Sequence, residues 1–155
     1  MGQGYVLKCK NCDYKYTAMT SIGMLFPVEY RDTMKDIRDG KLGEEYRAFV
    51  EENPDTVVNL DRKVGICDKC GRIDTLMELS LYKPLKPSSE YREEEYVMPL
   101  ELEEGYIKCK DYEHKCSCGG NIRLISLEDE GDLDLLKCPI CGSALEIGQD
   151  RILWD

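Results

Sequence analysis

The chain has 155 residues, and its 31 acidic against 21 basic side chains give it a formal net charge of −10. This length suits one or two small domains, and 42% apolar residues are too many for a chain that is disordered throughout. The sequence has no run of about 18 apolar residues, which excludes a membrane-spanning helix. The negative charge disfavours nonspecific nucleic-acid binding by the whole surface.

Nine cysteines indicate metal binding rather than disulfide bonds. The first residues lack the basic region and apolar segment of a secretory signal, so we expect a cytoplasmic protein. Thiols stay reduced in that compartment, and an odd number of cysteines cannot pair completely.

The first half contains two cysteine pairs, and the 54 residues between Cys12 and Cys67 are more than a minimal metal-bound hairpin needs. Two inserted helices are predicted there, over about residues 24–54, because apolar side chains recur at helical spacing. These side chains are Tyr30, Met34 and Ile37 in the first helix and Leu42, Tyr46, Phe49 and Val50 in the second. We expect extended segments at 56–60 and 73–82.

The prolines and serines of residues 83–90 interrupt any regular pattern and predict a connection between two modules. The predicted ranges are 1–82 for the first module, 83–105 for the connection and 106–155 for the second module. Alternating apolar residues in the second module predict strands at 121–124, 132–136 and 145–147.

Four close cysteine pairs predict two sites for zinc. A Cys-x-x-Cys turn places two thiolates on one side of a loop, and two such turns complete the tetrahedral shell that Zn²⁺ favours, with no position left open. Four pairs can be matched in three ways, and we expect matching within each half. The predicted ligands are Cys9, Cys12, Cys67 and Cys70 in site 1 and Cys116, Cys118, Cys138 and Cys141 in site 2.

Two further residues are alternative ligands for site 2. The Cys116-x-Cys118 spacing is one residue short of the usual one, and Cys109 and His114 lie close to it in the sequence. Outside a metal site, Cys109 is expected to be a buried small apolar side chain or a reactive thiol. His114 is then expected on the surface or in a hydrogen bond.

The cysteine turns resemble those of the zinc-ribbon class, in which two knuckles on adjacent hairpins hold one zinc. The resemblance covers residues 5–16 with 60–81, and residues 106–147. It implies a small metal-bound α+β protein of two zinc-ribbon-like antiparallel β modules, the first with two inserted helices. Zinc ribbons occur in transcription and translation factors, in enzymes and in docking modules, so the class does not select one function.

Two fragments also resemble the knuckles of rubredoxin, which binds one iron for electron transfer. Residues 5–16 resemble the first knuckle, and residues 138–142, Cys-Pro-Ile-Cys-Gly, resemble the second. The two fragments are predicted in different modules. Because four-sulfur geometry does not distinguish iron from zinc, rubredoxin-like electron transfer is an alternative function.

The main functional expectation is a protein-interaction or adaptor module with a protein partner and no membrane association. Catalysis is not expected, because one histidine and two closed thiolate shells offer no activated nucleophile, general base or open metal position. Nucleic-acid binding through a basic face near site 1 is a second alternative. That face would contain Lys8, Lys10, Lys15, Arg62, Lys63, Lys69 and Arg72, cations that otherwise offset the charge of the thiolates.

Overall fold

The computed structural model describes residues 2–86 and 96–155, apart from the side chain of residue 150. Within these ranges the chain is α+β, and every pair of neighbouring strands is antiparallel. The elements in chain order are β1 (Gly2–Cys9), β2 (Lys15–Thr20), α1 (Phe26–Arg38), α2 (Glu44–Glu52), β3 (Val57–Val58), β4 (Arg62–Cys67), β5 (Ile73–Met77), β6 (Leu81–Pro84), α3 (Pro99–Gly105), β7 (Tyr106–Lys110), β8 (Ile122–Ile125), α4 (Glu130–Leu133) and β9 (Leu145–Trp154). None of the described helices has the length and apolar character needed to cross a membrane.

The chain divides into two compact units, and neither is a continuous stretch of sequence. Unit 1 contains Met1–Gly23, Asp61–Glu78 and Glu113–Asp155, and unit 2 contains Met24–Leu60 and Leu79–Tyr112. The chain therefore leaves unit 1 twice and returns to it twice. The predicted ranges 1–82, 83–105 and 106–155 do not coincide with these units, because a consecutive division cannot describe an interleaved path.

Unit 1 contains two three-stranded sheets, with strand orders β2-β1-β9 and β5-β4-β8. One apolar core serves both sheets, and its fully or largely buried members are Leu7, Ala18, Val64, Ile73, Ile125, Leu136, Cys138 and Leu145. Each large aliphatic side chain removed from water in this core stabilises the unit by roughly 1.5–3 kcal/mol. The Tyr16 hydroxyl and Thr75 Oγ1, 3.0 Å apart, add a hydrogen bond between β2 and β5.

Unit 2 combines α1 and α2 with a sheet of order β3-β6-β7. The two predicted inserted helices are confirmed. Their buried faces contain Phe26, Tyr30, Met34 and Ile37 in α1 and Tyr46 and Val50 in α2. The buried hydroxyls also have partners, since Tyr30 accepts from the Val58 backbone N–H at 3.4 Å and Tyr46 donates to the Leu79 carbonyl at 3.1 Å.

Two segments differ from the sequence prediction. Residues 132–136 were expected to be extended, but α4 (Glu130–Leu133) covers their start because the Asp129 carboxylate accepts the Gly131 backbone N–H at 2.8 Å and caps the helix. The predicted connection contains the end of β6 and all of α3. Of its Pro/Ser stretch, residues 87–90 lie outside the described part of the chain, as do residues 91–95.

Candidate metal centres

Eight cysteines form two clusters of four, and both clusters belong to unit 1. The outer cluster consists of Cys9, Cys12, Cys138 and Cys141, and the inner cluster consists of Cys67, Cys70, Cys116 and Cys118. Within each cluster all four Sγ atoms lie within 4.8 Å of one another. The eight predicted ligands are thus brought together in two groups of four.

The predicted grouping of the pairs needs correction. Cys9 and Cys12 do not join Cys67 and Cys70, and the last two pairs, 116/118 and 138/141, do not share a cluster either. Strand pairing is the reason. The register of β1 against β9 places Cys9 opposite Leu145, just after the last cysteine turn, and the register of β4 against β8 places Cys67 opposite Ile122.

In the outer cluster, two turns hold the four sulfurs at the ends of β1 and β9. The first turn is closed by the Cys9 N–H, which donates to the Tyr14 carbonyl at 3.0 Å, and the second by the Cys138 N–H, which donates to the Ser143 carbonyl at 2.8 Å. The Sγ atoms of Cys9 and Cys141 are 3.4 Å apart, and those of Cys12 and Cys138 are 3.5 Å apart.

In the inner cluster, the Cys67–Cys70 turn aims backbone amides at a sulfur. The N–H groups of Lys69 and Cys70 point at Cys67 Sγ from 3.4 and 3.5 Å. Across the cluster, Cys67 Sγ lies 3.4 Å from Cys118 Sγ, and Cys70 Sγ lies 3.7 Å from Cys116 Sγ. A regular tetrahedron with metal–sulfur bonds of about 2.3 Å has sulfur–sulfur edges of about 3.8 Å, so both clusters are close to the size that a tetrahedral metal ion requires.

Glycines after two of the cysteine turns permit their geometry. Gly71 and Gly142 have φ values of +71° and +73°, a region that side-chain-bearing residues rarely adopt. Their N–H groups donate to the carbonyls of Cys67 and Cys138 at 3.1 and 2.9 Å. The short 116–118 turn makes the corresponding bond one residue earlier, from the Gly119 N–H to the Cys116 carbonyl at 2.9 Å, which accommodates its shorter spacing.

The turns of the inner cluster also pack directly against each other. A Cβ atom on Gly120 would lie 2.6 Å from Cys67 Sγ and 2.7 Å from the Lys69 Cβ, so only glycine fits there. The Asp68 carboxylate accepts the backbone N–H of Asn121 at 2.8 Å and its side-chain amide at 3.3 Å. These contacts fix the position of one turn relative to the other.

Each cluster contains a thiol whose pKa is lowered towards the thiolate, which is the form that binds metal, although burial and the neighbouring sulfurs raise the pKa of Cys12 and of Cys118 to about 12. The Cys70 backbone N–H is the main cause that lowers the pKa of the Cys67 thiol to about 6. At the outer cluster, a hydrogen bond from the Ser143 side chain is the main cause that lowers the pKa of Cys141 to about 6. Each cluster therefore presents at least one thiolate at neutral pH, to which a dication is attracted.

Neither alternative ligand belongs to a cluster. Cys109 lies on β7 in unit 2, where it is exposed and its thiol donates to the Ile107 carbonyl at 3.4 Å; the expectation that it is buried is wrong. His114 is buried in unit 1, with Nε2 3.3 Å from the Glu78 carbonyl oxygen. Burial is the main cause that lowers the pKa of His114, so the imidazole is neutral and hydrogen-bonded, as expected for a histidine that binds no metal.

The predicted basic face is divided between different places in unit 1. Three of its lysines, at positions 8, 10 and 15, lie beside the outer cluster, because β1 and β2 pair Lys8 with Lys15. Near the inner cluster, the Lys69 ammonium donates to the Cys118 carbonyl at 3.1 Å, and Arg72 pairs with Asp74 at 3.2 Å. The other two, Arg62 and Lys63, begin β4 at its far end from Cys67; the first stacks over Trp154 and the second pairs with Glu78.

This arrangement is suited to structural metal binding. Each cluster supplies four sulfurs, the full number of ligands of a tetrahedral ion, and so leaves no open coordination position. Comparisons with protein-family models, curated proteins and solved structures find no match to this chain. In the sequence, the grouping of the outer cluster is indicated by the two rubredoxin-like fragments, 5–16 and 138–142. The fold brings the four cysteines of these fragments together at one centre.

Proposed function

We propose that this protein is a non-catalytic adaptor in which two structural zinc ions hold unit 1 and unit 2 presents the contact surface for a protein partner. The observation that carries the proposal is a separation of roles: both cysteine clusters lie in unit 1, whereas most exposed large apolar side chains lie in unit 2.

Zinc as the resident metal is supported by the donor set. All eight candidate ligands are cysteine sulfurs on tight turns, and backbone N–H groups donate to one sulfur in each cluster, Cys9 and Cys67. Zinc in such a shell does no chemistry; it links strands and supplies folding free energy on the order of 10 kcal/mol per site. A unit with a small apolar core requires such a contribution to its folding stability.

The contact surface is supported by the distribution of exposed apolar side chains. Among the described residues, twelve large apolar side chains are exposed, and eight of them belong to unit 2. These are Met24, Leu25, Val28, Leu85, Tyr96, Met98, Leu100 and Ile107. Six of them lie in two short stretches, 24–28 and 96–100, and contiguous exposed apolar surface marks interaction sites whereas singly scattered side chains do not.

The proposal is tested by metal analysis and by comparison of two matched variants. The purified protein should contain two zinc ions per chain. In affinity capture from the cells that naturally make the protein, Leu25→Ser in unit 2 should lose a partner that Leu153→Ser in unit 1 retains. The two leucines are matched, since they are 64% and 68% exposed. Equal retention by both variants, or the absence of zinc, would contradict the proposal.

One observation favours iron at the outer cluster as a second candidate. The two rubredoxin-like fragments, which are separated by 121 residues in the sequence, contribute all four sulfurs of that cluster. Protein purified without added metal distinguishes the candidates, because iron bound by four thiolates gives a visible sulfur-to-iron absorption band and zinc gives none. Replacement of Cys141 with Ser should abolish the band if the iron lies in the outer cluster, whereas Cys70→Ser should leave it.

A further inference from the structure

A short stretch of unit 2, residues 96–104, combines exposed apolar side chains with exposed negative charge. Tyr96, Met98 and Leu100 are 45%, 38% and 75% exposed. Glu103 and Glu104, one helical turn after Leu100 on α3, are also exposed. We call these five residues the α3 patch.

The α3 patch rests on a fixed base. Val97 and Leu102, which alternate with the exposed residues, are buried in unit 2, and the Met98 backbone N–H donates to the Glu101 carboxylate at 2.7 Å, which fixes the start of α3. The Tyr96 ring meets the buried Phe26 ring edge-on, with centroids 5.6 Å apart. A ligand that binds here therefore meets an ordered surface and need not order it first.

The carboxylates of the patch contrast with several others in unit 2 that form ion pairs. Elsewhere in the unit, Asp36 pairs with Lys41, Glu45 with Lys110, and Asp111 with Lys108. Within residues 2–86 and 96–155, no ion pair is found for Glu103 or Glu104. Residues 96–105 contain three glutamates and no basic residue, so this stretch supplies no cation of its own that a cationic partner would have to displace.

The same features argue against other occupants. A second copy of this chain would bring a net charge of −10 against an acidic patch, and two tetrathiolate zinc centres would make each copy more negative. Anionic lipid surfaces are repelled for the same reason. A basic segment with one apolar face matches both properties, because its apolar side chains cover Tyr96, Met98 and Leu100 while its cations meet the carboxylates.

We propose that the α3 patch binds a basic amphipathic helix of a partner protein. This inference rests on the adaptor function proposed above and names the chemistry of the partner. The glutamates speed association and select the cationic partner, and the three apolar side chains supply the contact area that holds it.

The test is a titration of the zinc-loaded full chain against a labelled 18-residue helical peptide of leucine and lysine, followed by fluorescence anisotropy. Two peptides serve as probe controls: one has glutamate in place of lysine, and one has serine in place of leucine. We expect both to bind at least tenfold more weakly. Equal binding by either control peptide would overturn the proposal, because it would remove the need for charge or for apolar contact.

Protein variants then locate the binding site. Leu100→Ser should weaken binding of the leucine–lysine peptide at least fivefold, while Leu153→Ser in unit 1 should leave binding unchanged. Because Leu100 is exposed, its replacement should not unfold the protein. Glu103→Lys with Glu104→Lys should weaken binding at least tenfold, whereas Glu128→Lys with Glu130→Lys, which changes the net charge equally, should have less than a threefold effect.

The outcomes separate this inference from the adaptor function. If Leu100→Ser and the 103/104 charge reversal bind like the wild type, the α3 patch is not the site, although a cellular partner that depends on Leu25 would still support the adaptor function. If no cellular partner is captured but the peptide binds as expected, the adaptor function fails and the binding site stands.

Discussion

The grouping of the cysteines can be tested with two double variants. Cys9→Ser with Cys138→Ser removes two ligands from the outer cluster and leaves four thiolates in the inner one, so one tightly bound zinc should remain. Cys9→Ser with Cys67→Ser removes one ligand from each cluster, and no four-thiolate site should remain. If the pairs were instead grouped within each half of the sequence, the two results would be exchanged.

The expected effect is large enough to be measured as metal content. A structural zinc site is worth roughly 10–16 kcal/mol at neutral pH, and an equal share for each of four ligands is about 3 kcal/mol, or a factor on the order of 100 in affinity. The different entropy costs of closing the two loops change this estimate little. Cys12 and Cys138 are 126 positions apart and Cys70 and Cys116 are 46 apart, which makes the outer closure costlier by only about 0.9 kcal/mol.

The assay is native mass spectrometry in a chelator buffer that strips three-thiolate sites and spares four-thiolate sites. Circular dichroism serves as the folding control, because α1 and α2 belong to unit 2, which contains none of the eight clustered cysteines. One zinc in the 9/67 double variant and none in the 9/138 double variant would refute the structural reasoning from strand register.

Three further predictions concern packing, metal removal and alkaline pH. Gly120→Ala should lower the free energy of unfolding by about 1–3 kcal/mol in denaturant titrations, because the new Cβ would lie 2.6 Å from Cys67 Sγ. The control is Gly105→Ala, where a Cβ meets nothing within 4 Å. Equal effects of the two substitutions would contradict this explanation. Chelation should abolish slow amide exchange in β1 and β4 before it does so in α1, as measured by hydrogen–deuterium exchange; simultaneous loss would show that unit 2 has no stability of its own. Burial raises the pKa of Tyr30 from 10.0 to about 12, so the contribution of its neutral hydroxyl to stability is complete below pH 10 and is lost as the pH rises towards 12. Tyr30→Phe should therefore flatten the decline in the free energy of unfolding at alkaline pH. An unchanged decline would show that other groups cause it.

Local features of the fold could be predicted from the sequence. The two inserted helices follow from apolar residues at helical spacing, and the four knuckles follow from cysteine spacing, because both signals arise within a few neighbouring residues. The prediction of eight metal-ligating cysteines also depends only on local geometry. The structure places all eight in clusters and leaves Cys109 outside them.

The grouping of the knuckles could not be predicted in the same way. All four turns offer two sulfurs on one side of a loop, so their chemistry does not distinguish one partner from another. The choice is made by which strands pair, β1 with β9 and β4 with β8, and such long-range pairing leaves little trace in a single sequence. The prediction of a strand at 132–136 was wrong for a different reason. The alternating pattern of these residues suits a strand, but the Asp129 cap stabilises a helical turn at their start.

The interleaved path of the chain has an energetic explanation that bears on function. Residues 24–60 and 79–112 form two excursions from unit 1, and extending a loop from about 4 to 37 residues costs only about 2 kcal/mol in closure entropy. A metal site contributes on the order of 10 kcal/mol, so two sites more than offset both excursions. The scaffold can therefore carry a second unit whose surface is free to be selected for contacts rather than for stability. This condition suits the adaptor function proposed above, and it is consistent with exposed apolar side chains concentrated in unit 2 and both cysteine clusters in unit 1.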